Sequence, residues 1–184
     1  MLHTPNLRSR PLAALLLSLT VASGTPAQAS PAQPSLSGGD GRYRASIVVN
    51  TTPQRAWTVL TRYEAMAGQL PDIQQVRLLS RSGNSVQLQQ TYQAPYTFGR
   101  RIRATLRLQE NPPKQLSYQL IQGDDLRELQ GSWTITPLGK SVRLTHQLRI
   151  DPVMPAFIRA VYDELFEANL LQSMRTLKRL METP

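Results

Sequence analysis

The chain has 184 residues, of which 40% are hydrophobic and 18% are charged, and its formal net charge at pH 7 is +9. This composition is typical of a globular protein with enough residues for one sizeable core, and it excludes a disordered chain. There is no cysteine, which excludes disulfides, thiolate nucleophiles, cysteine-bound zinc and iron–sulfur clusters.

The first 29 residues have the organisation of a secretory signal peptide. Arg8 and Arg10 provide a positive n-region, an apolar run follows over residues 12–21, and residues 27–29 (Ala-Gln-Ala) have the small–x–small pattern of a cleavage site. The apolar run is shorter than the roughly 20 residues that span a bilayer. We therefore expect export, to the periplasm or an equivalent compartment, and a mature chain that begins near Ser30. An uncleaved N-terminal anchor is the alternative.

Residues 30–42 are rich in Pro, Ser and Gly, which predicts a disordered leader before a domain at residues 43–182. Cleavage before Ser30 removes two arginines and no acid, so 19 basic and 12 acidic residues leave a net charge of +7. A basic domain favours an anionic partner, and export makes a membrane surface a better candidate than nucleic acid. A basic domain with neither partner is the alternative.

The domain begins with a strand and a helix. Residues 43–50 alternate between apolar and other side chains, which predicts a strand. Thr52 and Pro53 then fit an N-cap and a first helical position, so a short helix follows. A second, broken helical piece should end at Leu70.

Six more strands are predicted, because apolar side chains recur at every second position and turn residues separate the runs. Hairpins in succession, each with one apolar face, describe an antiparallel sheet that is wet on one side. A long helix should follow, with a broad apolar face that includes Ile158, Val161, Leu165 and Ala168. The strands are centred on residues 76–79, 85–92, 101–108, 116–120, 129–135 and 142–150, and the helix covers about 156–181.

These elements predict an α+β fold in which a curved antiparallel sheet of about seven strands wraps around a long C-terminal helix. Two short helices follow the first strand. The only surface that the long helix can cover is the apolar face of the sheet. A sheet that curls around one helix tends to leave a cavity between them, and such a cavity suits a small molecule.

Four local motifs carry a family resemblance. They are VVNTTPQRAWTVLTRY at residues 48–63, LPDI at 70–73, GSWTITPLG at 131–139 and EANLL at 167–171. In this order they resemble the START-like (SRPBCC) superfamily, which includes the coenzyme Q-binding START-domain proteins and the bacterial polyketide cyclase/dehydrase relatives. Arg62 departs from the pattern, since the family often has aspartate there. The resemblance covers residues 43–181.

The resemblance implies the helix-grip fold and a hydrophobic ligand such as a quinone, a lipid or a polyketide. It assigns no catalytic residue, and fold does not fix function. Our first hypothesis is a binding or carrier protein for an isoprenoid quinone or another lipid, with no chemistry of its own. The alternatives are a cyclase/dehydrase-type enzyme on a polyketide-like substrate, and a partner-binding domain whose cavity is filled by side chains. No cofactor is expected.

Five side chains are candidates for contact with the ligand. His146, the only histidine of the mature domain, lies on the inward phase of the last strand, where it could bind a ligand carbonyl or transfer a proton. A buried histidine satisfied by a neighbour is the alternative. The mature domain has no second histidine and no cysteine to share a metal. The other four are Tyr92, Tyr118, Trp133 and Asn169, for which core packing or, for Asn169, exposure is the alternative.

Arginines occupy the outward phases of the strands. Arg101, Arg103 and Arg107 follow one another at alternate or fourth positions of one strand and could form a basic ladder that meets an anionic membrane. The alternative is a solvated convex face that keeps the sheet soluble.

Overall fold

The structure is a computed structural model that describes residues 33–93 and 101–183, and within them an eight-stranded sheet holds one long helix. All neighbouring strands are antiparallel, in the order β1-β2-β8-β7-β6-β5-β4-β3. The predicted α+β helix-grip class is confirmed, with one strand more than expected. The strands are β1 (Ser35–Gly39), β2 (Arg42–Val49), β3 (Ile73–Ser82), β4 (Ser85–Tyr92), β5 (Ile102–Asn111), β6 (Gln115–Gly123), β7 (Leu126–Leu138) and β8 (Ser141–Pro152).

The additional strand corrects the predicted disordered leader at residues 30–42. β1 pairs with β2, and Leu36 faces Ala45 and packs on the core. The glycines that suggested disorder serve a tight hairpin, because Gly38 and Gly41 have φ angles of 104° and 76° that suit glycine. The sheet therefore begins at Ser35 rather than Tyr43. The predicted signal peptide, residues 1–29, lies outside the described residues.

Two short helices connect β2 to β3, as predicted. The first, α1 (Pro53–Leu60), begins with Pro53 after Thr52, whose side chain accepts a hydrogen bond from the backbone N–H of Arg55 at 3.2 Å. This N-cap satisfies one of the donors that a helix start leaves free. The second piece is a 3-10 turn at Glu64–Met66.

The long helix, α2 (Arg159–Glu182), follows a 3-10 turn at Ala156–Ile158. Its second half is buried against the sheet through four side chains, Leu170, Met174, Leu177 and Met181. In the first half, the predicted apolar face is wrong at two positions, because Val161 is 58% exposed and Ala168 is exposed. Tyr162 is buried there instead, and Phe166 is half-buried. The true buried face continues the i, i+4 row of Leu170 and Met174 toward the helix start.

Polar contacts fix the C-terminal end of α2 to the end of β2 and to the turn before α1. The Thr51 hydroxyl donates to the carbonyl of Met181 at 3.1 Å, and the backbone N–H of Asn50 donates to Glu182 at 2.7 Å. The Lys178 ammonium donates to the carbonyl of Val48 at 3.0 Å. In the described part of the chain, no helix combines the length and the apolar character needed to cross a membrane.

Candidate functional site

A cavity of about 560 Å³ lies between the inner face of the sheet and the first half of α2. Its walls are mostly apolar side chains from β5 to β8, with Tyr162 and Phe166 from the helix. Small-molecule sites typically measure ~300–1,000 Å³. The cavity therefore has the size of a small-molecule site, and Ser173 and Leu177 continue its lining into the second half of α2.

All five ligand-contact candidates from the sequence line this cavity: Tyr92, Tyr118, Trp133, His146 and Asn169. The structure brings three of them into direct contact with one another, while Asn169 and Tyr92 lie elsewhere on the cavity wall with partners of their own. The positions agree with the predicted inward phases. Whether these side chains bind a ligand stays a prediction.

Tyr118, Trp133 and His146 form one cluster. The strand register places Trp133 opposite His146, and their rings stack with centroids 3.7 Å apart and planes 7° from parallel. The Tyr118 hydroxyl lies 2.8 Å from His146 Nε2, a hydrogen-bond distance. Trp133 is half-buried rather than fully buried, because its outer edge borders the cavity.

Burial sets the charge state of this cluster. Desolvation lowers the pKa of His146 to about 3, and it raises the pKa of Tyr118. Both groups are therefore neutral at physiological pH. His146 Nδ1 is buried and has no hydrogen-bond partner among the described residues, so its hydrogen-bonding capacity is unused there.

Gly131 makes the cluster possible. It faces Tyr118 across the β6–β7 pair, and a Cβ atom at this position would lie 2.6 Å from the Tyr118 hydroxyl and 2.4 Å from the carbonyl of Gln147. No real side chain tolerates such distances. The missing Cβ lets the tyrosine ring lie across β7 and reach His146 on β8.

A second polar group, Asp72 with Asn169, lies where β3 begins. The sequence analysis predicts Asn169 as a ligand contact but not Asp72. The side-chain amide of Asn169 donates to Asp72 Oδ1 at 2.8 Å, and both residues line the cavity. Burial raises the pKa of Asp72, and the hydrogen bond from Asn169 partly opposes that shift. The strand-phase argument could not find Asp72, because it lies in the turn before β3. Its signal in the sequence was its place in the LPDI motif, directly before the start of β3.

A buried carboxylate, Glu110, is already paired. Glu110 is 7% exposed and accepts hydrogen bonds from the Tyr63 hydroxyl at 2.5 Å and from the Arg81 guanidinium at 2.8 and 3.0 Å. This network supports the cavity wall through Tyr63 and leaves Glu110 little capacity for a ligand. Among residues 33–93 and 101–183, no three histidine or carboxylate side chains come together as a metal site.

The cavity reaches the surface beside the start of α2. Val153 and Phe157 line it, and yet they are 47% and 85% exposed. Val161, one turn further along α2, is also exposed. We call these three exposed hydrophobic side chains the apolar lip: Val153 and Phe157 border the cavity, and Val161 follows Phe157 by four residues. Contiguous exposed apolar patches mark interaction sites, whereas isolated apolar residues do not.

The three predicted membrane-surface arginines, Arg101, Arg103 and Arg107, are all exposed. Arg103 pairs with Asp124 at 3.1 Å, and the next residue, Asp125, accepts a backbone hydrogen bond from Val153 of the lip. Arg101 and Arg103 therefore lie at the end of the sheet that carries the lip. Arg107 lies about 13 Å further along the strand, at roughly 3.3 Å per residue. Their contact with a membrane stays a prediction.

Comparison with known proteins gives the following. The family described as "Polyketide cyclase / dehydrase and lipid transport" matches residues 40–182. No curated protein sequence matches the chain. Solved structures with similar folds include TTHA0849 from Thermus thermophilus, at 18% identity and a TM-score of 0.67, covering 75% of this chain and 94% of that one.

Two further neighbours carry functional names. The Zhui aromatase/cyclase from Streptomyces sp. R1128 is 15% identical, with a TM-score of 0.64 over 77% of this chain and 93% of its own. The STAR-related lipid transfer protein from Xanthomonas axonopodis is 14% identical, with a TM-score of 0.60 over 82% and 95%. At these identities the likeness shows a shared fold alone. The family match, by contrast, extends from β2 through the sheet to the end of α2, and the chain therefore belongs to the polyketide cyclase/dehydrase and lipid-transport family, with the START-like helix-grip fold.

Proposed function

We propose that this protein binds and carries a hydrophobic small molecule, an isoprenoid quinone or another lipid, without chemistry of its own. The observation that carries the proposal is the apolar cavity of about 560 Å³ under α2. A filled cavity would have favoured the partner-binding alternative, and this volume argues against it. Apolar walls favour an apolar ligand, because removing apolar surface from water stabilises the complex by roughly 25 cal/mol per Å².

The polar groups of the cavity suit the orientation of a mostly apolar ligand. The neutral His146 ring has one nitrogen without a partner among the described residues, and in the tautomer that protonates Nδ1 this atom donates a hydrogen bond. A quinone carbonyl or another ligand oxygen would accept it. Trp133 stacks on one face of the imidazole, and the Tyr118 hydroxyl lies within hydrogen-bond distance of Nε2. The ring is therefore held in place before the ligand arrives.

Filling the cavity should weaken ligand binding. Ser173 lies on α2 and lines the cavity, whereas its neighbour Gln172 is exposed. We expect Ser173→Trp to lower ligand affinity by about tenfold or more, because the indole occupies space that the ligand needs. Gln172→Trp adds the same ring on the solvent side and should bind as the wild type does. The measurement is native mass spectrometry of protein from its own host, followed by organic extraction of the bound lipid.

The outcome also separates carriage from catalysis. A ligand recovered unchanged after incubation supports a carrier. Equal occupancy in Ser173→Trp and Gln172→Trp would show that any bound lipid lies outside the cavity, and the proposal would fail.

A cyclase/dehydrase-type enzyme is the second candidate, and one observation favours it. Tyr118 and His146 are hydrogen-bonded to each other and are residue types used in general acid–base catalysis, and they line a space large enough for a polyketide-like substrate. His146→Ala discriminates between the two functions. A carrier variant should still bind the co-purifying molecule with reduced affinity, whereas an enzyme variant should retain binding and lose turnover.

We further propose that the ligand is exchanged at an anionic membrane surface, in the compartment to which the predicted signal peptide directs the protein. The apolar lip offers groups that can enter the lipid headgroup region, and Arg101 and Arg103 lie at the same end of the sheet. Basic residues near an anionic membrane contribute about 1 kcal/mol each, and salt weakens this attraction.

Phe157→Ser should weaken binding to vesicles that contain anionic lipid by about tenfold, because burial of a phenylalanine side chain is worth roughly 1.5–3 kcal/mol. Leu79→Ser is the control, since Leu79 is an exposed apolar residue of β3 that does not line the cavity. Co-sedimentation at low and high salt measures both variants, together with Arg101→Glu/Arg103→Glu. If the wild type binds neutral and anionic vesicles equally well, the arginines make no electrostatic contribution to membrane binding.

A further inference from the structure

We infer that Asp72 and Asn169 form the head-group site of the cavity, and that this site selects ligands whose polar end donates hydrogen bonds, an alcohol or an amine, over carboxylic acids. The inference deepens the proposed function and rests on it. It narrows the proposed ligands to those with a donating head, a quinol rather than an oxidised quinone among them, because a quinone carbonyl only accepts.

The first step is the free acceptor capacity of Asp72. A carboxylate has two oxygens and about four lone-pair sites. Asn169 occupies one site, on Oδ1, and no other side chain in the described ranges donates to Asp72. The residue is half-buried on the cavity wall, so the remaining acceptor sites are available to whatever fills the cavity.

The second step is the absence of a compensating cation. No lysine or arginine lines the cavity within the described part of the chain, and no ion pair is formed by Asp72 there. The one basic side chain in that lining, His146, is kept neutral by burial, which lowers its pKa to about 3. The described lining therefore gives the interior a negative or neutral electrostatic character.

The third step is the orientation of Asn169. One N–H of its amide donates to Asp72, which leaves the second N–H and the carbonyl oxygen of Asn169 for a head group. A carboxylate head group placed here would meet the Asp72 charge at short range in a poorly solvated space, which is strongly unfavourable. A hydroxyl or an ammonium group in the same place would donate to Asp72, and hydrogen bonds to charged groups are the strong ones.

The test uses three probes with the same chain and different heads: dodecanol, dodecylamine and dodecanoic acid. Each displaces the neutral fluorescent probe N-phenyl-1-naphthylamine from the full-length protein. For the wild type we expect the alcohol and the amine to bind about tenfold or more tightly than the acid, the difference that one charge-assisted hydrogen bond supplies. Asp72→Asn should reduce this ratio to within about threefold.

Asp163→Asn is the matched control. Asp163 lies on α2, accepts one hydrogen bond from the Tyr43 hydroxyl at 3.1 Å and does not line the cavity. Asp163→Asn removes the same single negative charge as Asp72→Asn. This variant should keep the wild-type preference for the alcohol and the amine over the acid. Because Asp72→Asn could also fail to fold, a second measurement uses the wild type alone: dodecylamine should shift the side-chain carboxyl carbon resonance of Asp72 in NMR.

Three outcomes are decisive. If all three probes bind the wild type equally well, the proposed function stands and the head-group assignment is overturned. If the preference is unchanged in Asp72→Asn, or the Asp72 resonance ignores the amine, the selectivity comes from another group and the assignment is again wrong. If no probe binds, the cavity is not a lipid site and both proposals fall.

Discussion

Replacing Met174 by alanine should lower the free energy of unfolding by about 2–5 kcal/mol, the range for removing a large side chain from a packed core. Met174 is fully buried at the point where α2 changes from roofing the cavity to packing on the sheet. Its loss would extend the existing cavity under the helix, and the fixed C-terminal end of α2 limits how far the helix can collapse into the gap. Denaturation in urea measures the change.

Two control variants separate this effect from helix propensity. Met174→Leu conserves volume and should cost less than about 1.5 kcal/mol. Val161→Ala lies on the same helix but removes an exposed side chain, so a change within about 0.5 kcal/mol is expected. Equal losses in Met174→Ala and Val161→Ala would contradict the assignment of the buried face.

The second large effect is a loss of stability in mild acid that originates at His146. Burial lowers the pKa of this residue from 6.5 to about 3 in the folded protein. The unfolded chain therefore binds one more proton between these values, and folded-state stability falls as the pH drops below about 6.5. From about pH 7 to about pH 5, the loss attributable to His146 should be about 2 kcal/mol, at 1.36 kcal/mol per pH unit.

His146→Gln isolates this contribution. Glutamine does not titrate and can still hydrogen bond to Tyr118, so the carboxylate contribution to the pH profile is common to both proteins. The chain has only one other histidine, His3, which lies in the predicted signal peptide. The expected result is a difference in slope between the wild type and the variant across this range. Parallel profiles would mean that His146 titrates as an exposed group does.

The sequence was sufficient for the fold because hydrophobic periodicity is a strong signal where one face of a strand is buried. The strands from β2 to β8 were all predicted, and their inward phases placed Trp133 and His146 on one face. Periodicity was weaker where glycine or an aromatic residue replaced the aliphatic pattern. β1 contains Gly38 and Gly39, and the first half of α2 is buried through Tyr162 rather than Val161.

The candidate site depends on relations that a single sequence does not contain. Tyr118 reaches His146 only because the register places Gly131 opposite the tyrosine, and register follows from strand pairing over the whole sheet. Asp72 meets Asn169 through a turn and a helix that are distant in sequence. The alternation along a strand predicts on which face of the sheet a side chain lies. Which side chains it contacts on that face is determined by the tertiary structure.

The cavity under α2 also has a volumetric consequence. Apolar cavities tend to stay dry, and unfolding eliminates such a void, so the unfolded chain with its solvent occupies less volume than the folded protein. Hydrostatic pressure should therefore unfold the ligand-free protein more readily than the ligand-loaded one, and the difference in unfolding volume should scale with the space that the ligand fills. The second half of α2, where Met174 and Met181 are fully buried, contributes little to that compressible volume.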